Sequence, residues 1–133
     1  MVASVNKQLI RSVFEAWANG DSKAFFNVLA PNVEWTVIGT GPVSQCYKSR
    51  QAFLEGAVNP LSEKLTGPIV PTVENIIAER DTVVVQWSGQ AKSKAGPAYN
   101  NSYCWVMGMR DGKVLNGVAY IDTALVADLW RSS

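Results

Sequence analysis

The 133-residue chain contains no histidine, and that single absence removes several chemistries at once. Without an imidazole there is no Ser–His or Cys–His couple, no haem on a proximal histidine and no histidine-held catalytic zinc. Cysteine is nearly as scarce. Cys46 and Cys104 stand far apart, whereas a disulfide framework or a zinc site needs closely spaced ligand pairs. Both are read as reduced thiols of an intracellular protein, and Cys46 has no histidine or clear cation beside it to make it a nucleophile. Charge is sparse too, at 17% of residues with a formal net charge of +1. Lysines and arginines are scattered singly, so the long-range field that drives nucleic-acid binding is missing. No apolar run approaches the ~18 residues that span a membrane, and residues 1–8 lack the charged-then-apolar profile of a signal peptide. The expectation is a cytoplasmic protein without nucleic-acid or membrane partners.

What is abundant is apolar and aromatic surface. Hydrophobic residues make up 47% of the chain, with five Trp, four Tyr and four Phe. A chain of this length buries roughly two-thirds of its unfolded surface, and such an aromatic surplus either tightens a core or lines a cavity.

The first third reads as helical. Val5, Leu9, Ile10, Val13, Phe14 and Trp17 recur at three- and four-residue spacing and form one helical face. Asn19-Gly20 stops that helix, and Asp21 is placed to cap a second one running through Leu29. Val33, Trp35 and Val37 alternate with Glu34 and Thr36 as a half-buried strand. After the Gly39-Thr40-Gly41-Pro42 loop, Lys48 to Ala57 reads as a third helix, and Asn59 to Pro68 as a long connection. Four strand-like runs follow, Val70 to Ala78, Thr82 to Gln90, Ala98 to Met109 and Val114 to Asp122, with Arg110-Asp111-Gly112 as a tight hairpin turn. Thr123 opens a short last helix. Helices first and then an antiparallel meander is an α+β pattern without βαβ alternation. With no repeat or linker to divide it, a single domain over residues 1–133 is expected.

Four stretches carry a resemblance: the Asn19-Gly20-Asp21 helix end, Leu29-Ala30-Pro31-Asn32-Val33-Glu34-Trp35, the Asp111-Gly112-Lys113-Val114 hairpin and the closing Tyr120-Ile121-Asp122-Thr123. In this order and spacing they resemble the nuclear transport factor 2-like superfamily, shared by ketosteroid isomerase, scytalone dehydratase, limonene epoxide hydrolase and the SnoaL-like polyketide cyclases. The Tyr-x-Asp at the end of the last strand makes the SnoaL-like branch the nearest. The resemblance implies a cone: N-terminal helices packed on a strongly curved mixed or antiparallel sheet around an apolar pocket. It does not imply one reaction, because the fold hosts many.

The resemblance makes Asp122 the candidate general acid/base, since SnoaL-like cyclases use an aspartate at this strand end. A carboxylate at the rim of an apolar cavity loses hydration, its pKa rises, and it becomes a better base near neutral pH. Asp122 equally suits a cap for the last helix. Tyr120 is a candidate to orient Asp122 or to pack on the sheet. On the run from Tyr99 to Met107 one face carries Tyr99, Asn101, Tyr103, Trp105 and Met107, aromatic and polarisable with an amide for hydrogen bonding, as a pocket wall or as ordinary core. Tyr103 is a candidate hydrogen-bond donor to a substrate oxygen. Trp35 should close the pocket from the opposite side, with Phe14 and Trp17 as floor or lid and Tyr47 near the mouth.

The acid–base set of ketosteroid isomerase would fall near Val13, Val37 and Cys104 or Trp105, and is absent. The Asp-Arg-Asp arrangement of limonene epoxide hydrolase is not found, and the histidine that SnoaL-like cyclases often place on the long strand is replaced by the Tyr103-Cys104-Trp105 region. The leading expectation is a cofactor-independent acid–base enzyme of isomerase, cyclase or hydrolase type, needing no metal and acting on a small hydrophobic carbonyl or epoxide compound. The alternatives are a small-molecule-binding module that does no catalysis and a dimerisation domain with a collapsed pocket. A homodimer through the open sheet face is expected from the resemblance.

Overall fold

The computed structural model describes residues 2–132. Helix α1 (Val2–Ala18) buries Asn6, Ile10, Val13, Phe14 and Trp17, so its buried stripe starts at Asn6, while Val5 is exposed. The chain then turns through Gly20, at φ 107°, a left-handed conformation that suits glycine.

Helix α2 (Lys23–Phe26) is a single turn whose N-cap is Ser22. The predicted Asp21-capped helix through Leu29 is therefore too long. Strand β1 (Leu29–Val37) claims its last residues. Leu29 pairs with Val114, and the register slips between Leu29 and Glu34, where Pro31 cannot donate to a ladder.

After the two-residue strand β2 (Cys46–Tyr47), which the sequence does not announce, Ser49 caps α3 (Arg50–Phe53) by accepting from Ala52 N at 2.9 Å. The helix continues as a π-helical turn, Leu54–Val58, and then as α4 (Asn59–Glu63). The predicted connection from Asn59 is thus partly helical. Pro60 has no N–H to return to the Gly56 carbonyl, and the ladder widens so that Asn59 N–H reaches Leu54 O.

The remaining strands are β3 (Val70–Glu79), β4 (Thr82–Lys92), β5 (Ala98–Arg110) and β6 (Lys113–Ile121), followed by α5 (Thr123–Ser132). Asp111 and Gly112, both at positive φ (52° and 76°), make the β5–β6 turn with the twist a tight hairpin prefers. The six strands form one mixed sheet in the order β2-β1-β6-β5-β4-β3, parallel only between β1 and β6. Register shifts at Val73/Asn75 and Gly108/Met109 bend it. The result is the expected α+β cone, a curved sheet that does not close on itself. Helix α1 packs against β3 and β4. Among the described residues no helix is long and apolar enough to cross a membrane.

Candidate functional site

Between the inner face of the sheet and the helices lies a cavity of about 150 Å³. The sheet supplies Trp35 and Val37 from β1, Trp87 from β4, Tyr103 and Trp105 from β5, and Ala119 and Ile121 from β6. The helical side supplies Trp17, Phe26 and Phe53, then Ala57, Val58 and Leu61. The π-helical turn thus delivers two small side chains to the wall. Ser22, Ser62, Pro68 and Ile69 complete it.

Local sequence explains why the wall is flat and aromatic. Gly117 pairs with Trp35 across the parallel β1–β6 ladder. A Cβ at Gly117 would lie 3.2 Å from Trp35 Cδ2 and closer still to Cε3 and Cζ3, so the missing side chain lets the indole lie on the sheet. Trp87 and Tyr103 face each other across β4–β5 and stack with centroids 3.9 Å apart at 7°. Gly89 leaves room beside them, since its Cβ would meet Trp87 Cζ3 at 3.0 Å and Tyr103 Cε1 at 3.2 Å. Trp105 stands edge-on to both Trp35 (5.0 Å, 87°) and Trp87 (4.9 Å, 80°).

No aspartate, glutamate, lysine, arginine or cysteine contributes to this wall. Its titratable group is the Tyr103 hydroxyl, which burial, reinforced by the neighbouring Tyr99, pushes far above the ordinary tyrosine value. Tyr103 therefore stays a neutral phenol at physiological pH. Its hydroxyl lies 3.2 Å from that of Tyr99, and Asn101 Nδ2 donates to Tyr99 Oη at 2.9 Å. With Tyr99 accepting from the amide, its own proton is best spent on Tyr103, leaving the Tyr103 proton free to donate elsewhere.

Of the residues read from sequence, Trp17, Trp35, Tyr103 and Trp105 meet in the wall. Phe14 lies one layer behind, its ring 5.5 Å from Trp87 and 6.0 Å from Trp105. Met107 is fully buried outside the wall. Tyr47 is also one layer back: its hydroxyl donates to Val43 O at 2.7 Å and its ring sits 5.6 Å from Phe53. Asn101 is buried and occupied. Besides Tyr99 it donates to Asp122 O (3.1 Å) and accepts from Ser102 N (2.8 Å) and Asp122 N (3.3 Å). It ties the end of β6 to β5 and does not face a ligand.

Asp122 and Tyr120 stand apart from the cavity, and here the sequence expectation is corrected. Because Ala119 and Ile121 point inward, Tyr120 falls on the other face of the sheet, where it is 48% exposed. Asp122 follows the strand, is exposed, and its Oδ1 accepts from Ala124 N at 3.0 Å. Of its two readings from sequence, the geometry is that of the helix cap. Wall residues that the sequence reading did not single out include Trp87, Phe26, Phe53 and Ala119. Trp87 had a signal: Val83, Val85 and Trp87 alternate as an inward face, and all three are buried.

Compared with known proteins, residues 10–116 match the model of the SnoaL-like domain. Bal32a, from a soil-derived mobile gene cassette, superposes with a TM-score of 0.82 at 20% identity, over 98% of this chain and 100% of that one. An NTF2-like protein from Burkholderia thailandensis E264 gives 0.76 at 22% identity, over 94% and 96%. TerC, co-crystallised with polyporic acid, gives 0.76 at 20% identity, over 95% and 98%. No curated protein matches the sequence.

Proposed function

This chain belongs to the SnoaL-like domain family, and from that premise and the make-up of its cavity we propose that it binds a small, flat, uncharged and largely apolar molecule there. The observation that carries the proposal is the wall itself, four tryptophans, a tyrosine and two phenylalanines with no ionic side chain. An apolar cavity with a few convergent polar groups is the usual form of a small-molecule site. In this reading Trp35 and Trp105 hold the ring system, Trp17 covers it, and the Tyr103 hydroxyl donates to a ligand oxygen. Co-crystallisation of TerC with polyporic acid supports a small organic ligand for a chain of this shape. The acid–base reading has less support, because Asp122 is spent on the α5 cap and Tyr103 is held too weakly acidic to exchange protons readily near neutral pH.

The test is calorimetric titration with tetralin, a neutral two-ring hydrocarbon, of the native protein and of Ala119→Phe. Saturable one-to-one binding that disappears when a phenyl group fills the cavity supports the proposal, provided the variant keeps its circular dichroism. No saturable binding by the native protein, or full binding by the folded variant, overturns it.

We further propose a homodimer through the outer sheet face. Val84, Val106 and Val118 lie in one row across β4, β5 and β6, flanked by the exposed Ile77. A monomer in sedimentation equilibrium at micromolar concentration would refute it.

A further inference from the structure

We propose that the ligand carries carbonyl or ether oxygens that accept hydrogen bonds from the indole N–H groups of Trp35 and Trp87, and that it bears no charge. This rests on the ligand-binding reading above and narrows it to a chemical class.

Trp35 and Trp87 are 0% and 1% exposed, and both belong to the cavity wall. Their Nε1 atoms are buried, and no acceptor among the described residues lies within hydrogen-bonding reach of either. A buried donor left without a partner is costly, and native proteins rarely leave one without a reason. Here two such donors flank one ring, Trp105, at 5.0 and 4.9 Å between centroids. The Tyr103 hydroxyl, whose proton the Asn101–Tyr99 chain leaves free, is a third. The sheet side of the cavity therefore offers several donors and no carboxylate. A hydrocarbon would leave all of these donors unmatched. A cation would find no counter-charge, and an anion would find no lysine or arginine to offset its lost hydration. A neutral molecule with acceptor oxygens satisfies every constraint. A cavity of about 150 Å³ is of the size that takes a benzene ring in an apolar core, and this one opens at a mouth, so one or two fused rings fit.

The protein itself reports the contact. In a proton–nitrogen correlation spectrum the five indole N–H groups give separate resonances, assignable by triple-resonance methods on the native chain. Two probes of nearly the same shape are compared, tetralin and 1-tetralone, which adds one carbonyl oxygen. The expected result is that both bind and that only tetralone moves the Trp35 or Trp87 indole proton downfield. Tetralone should also bind at least as tightly as the more hydrophobic tetralin, although its carbonyl must shed water. If both bind and tetralone moves neither proton beyond the tetralin effect, the donors are satisfied otherwise, for instance on the Trp105 ring face. The inference then fails while the binding reading stands. Binding of tetralin without tetralone overturns it in the same way. Binding of 1-naphthoate as tightly as tetralone overturns the requirement for neutrality. If neither neutral probe binds, both readings fall together.

Discussion

Replacing Gly117 by alanine probes how the cavity wall is built. The added Cβ would meet the Trp35 indole at 3.2 Å from Cδ2 and closer at Cε3 and Cζ3, whereas carbon atoms pack best at about 3.5–4.0 Å. Trp35 cannot swing aside freely, because it is stacked on Phe53 at 5.1 Å and abuts Trp105 edge-on. The indole must therefore shift on the order of 1 Å toward the cavity, or the β1–β6 ladder must open. Overpacking of this kind costs about 1–3 kcal/mol. Alanine returns about 0.4–1 kcal/mol by restricting the unfolded chain, since Gly117 is not at positive φ. The net loss is about 1–2 kcal/mol, which for a chain of this length lowers Tm by roughly 4–7 °C. Gly67→Ala is the control: nothing lies within 4 Å of its added Cβ, so it should be neutral or stabilising by up to about 1 kcal/mol. Calorimetry and urea titration measure the stabilities, and the tetralin titration reads the narrowed cavity. If Gly117→Ala is as stable as the native chain and binds tetralin equally well, Gly117 does not position Trp35 and the account of the wall is wrong.

Other outcomes follow from the same geometry. Asp122→Ala should cost about 1 kcal/mol by removing the α5 cap, while Asp122→Asn, an equally good cap, should cost little; neither should change tetralin binding, and loss of binding in Asp122→Asn would restore Asp122 to the site. Burial raises the pKa values of Tyr99 and Tyr103 above the model tyrosine value of 10.0 in the folded chain. The unfolded chain therefore loses these protons first, so stability is fully present below pH 10 and declines as pH rises through and beyond it. A denaturation midpoint unchanged from pH 8 to pH 11.5 would contradict the burial of these hydroxyls.

The fold was legible because its periodicities are strong. The four long strands fell within one or two residues of their positions, and the alternation from Tyr99 to Met107 marks a face that is buried along its whole length. What the sequence hid were the places where one residue answers to two neighbours. Leu29 suits a helix end, but it is drawn into β1 by pairing with Val114. The helical segment past Asn59 survives Pro60 only by widening into a π turn, which no local propensity signals. Half of the candidate site followed from strand parity, which placed Trp35, Tyr103 and Trp105 together. The other half failed on parity. Asp122 and Tyr120 carry the family-like motif, yet a strand alternates faces, and Ala119 and Ile121 take the inward positions. Trp87 was readable from its alternation with Val83 and Val85. Phe53 and Ala57 were not, because their place in the wall depends on how the helix after Ser49 runs over the sheet.

The central claim is that a ligand-sized apolar cavity exists between Trp17 and the sheet, and anomalous diffraction from crystals soaked in bromobenzene tests it most directly. The predicted result is one bromine peak enclosed by Trp35, Trp87, Tyr103 and Trp105, with those side chains where they stand in the ligand-free protein. Collapsed side chains with no peak between them would contradict it.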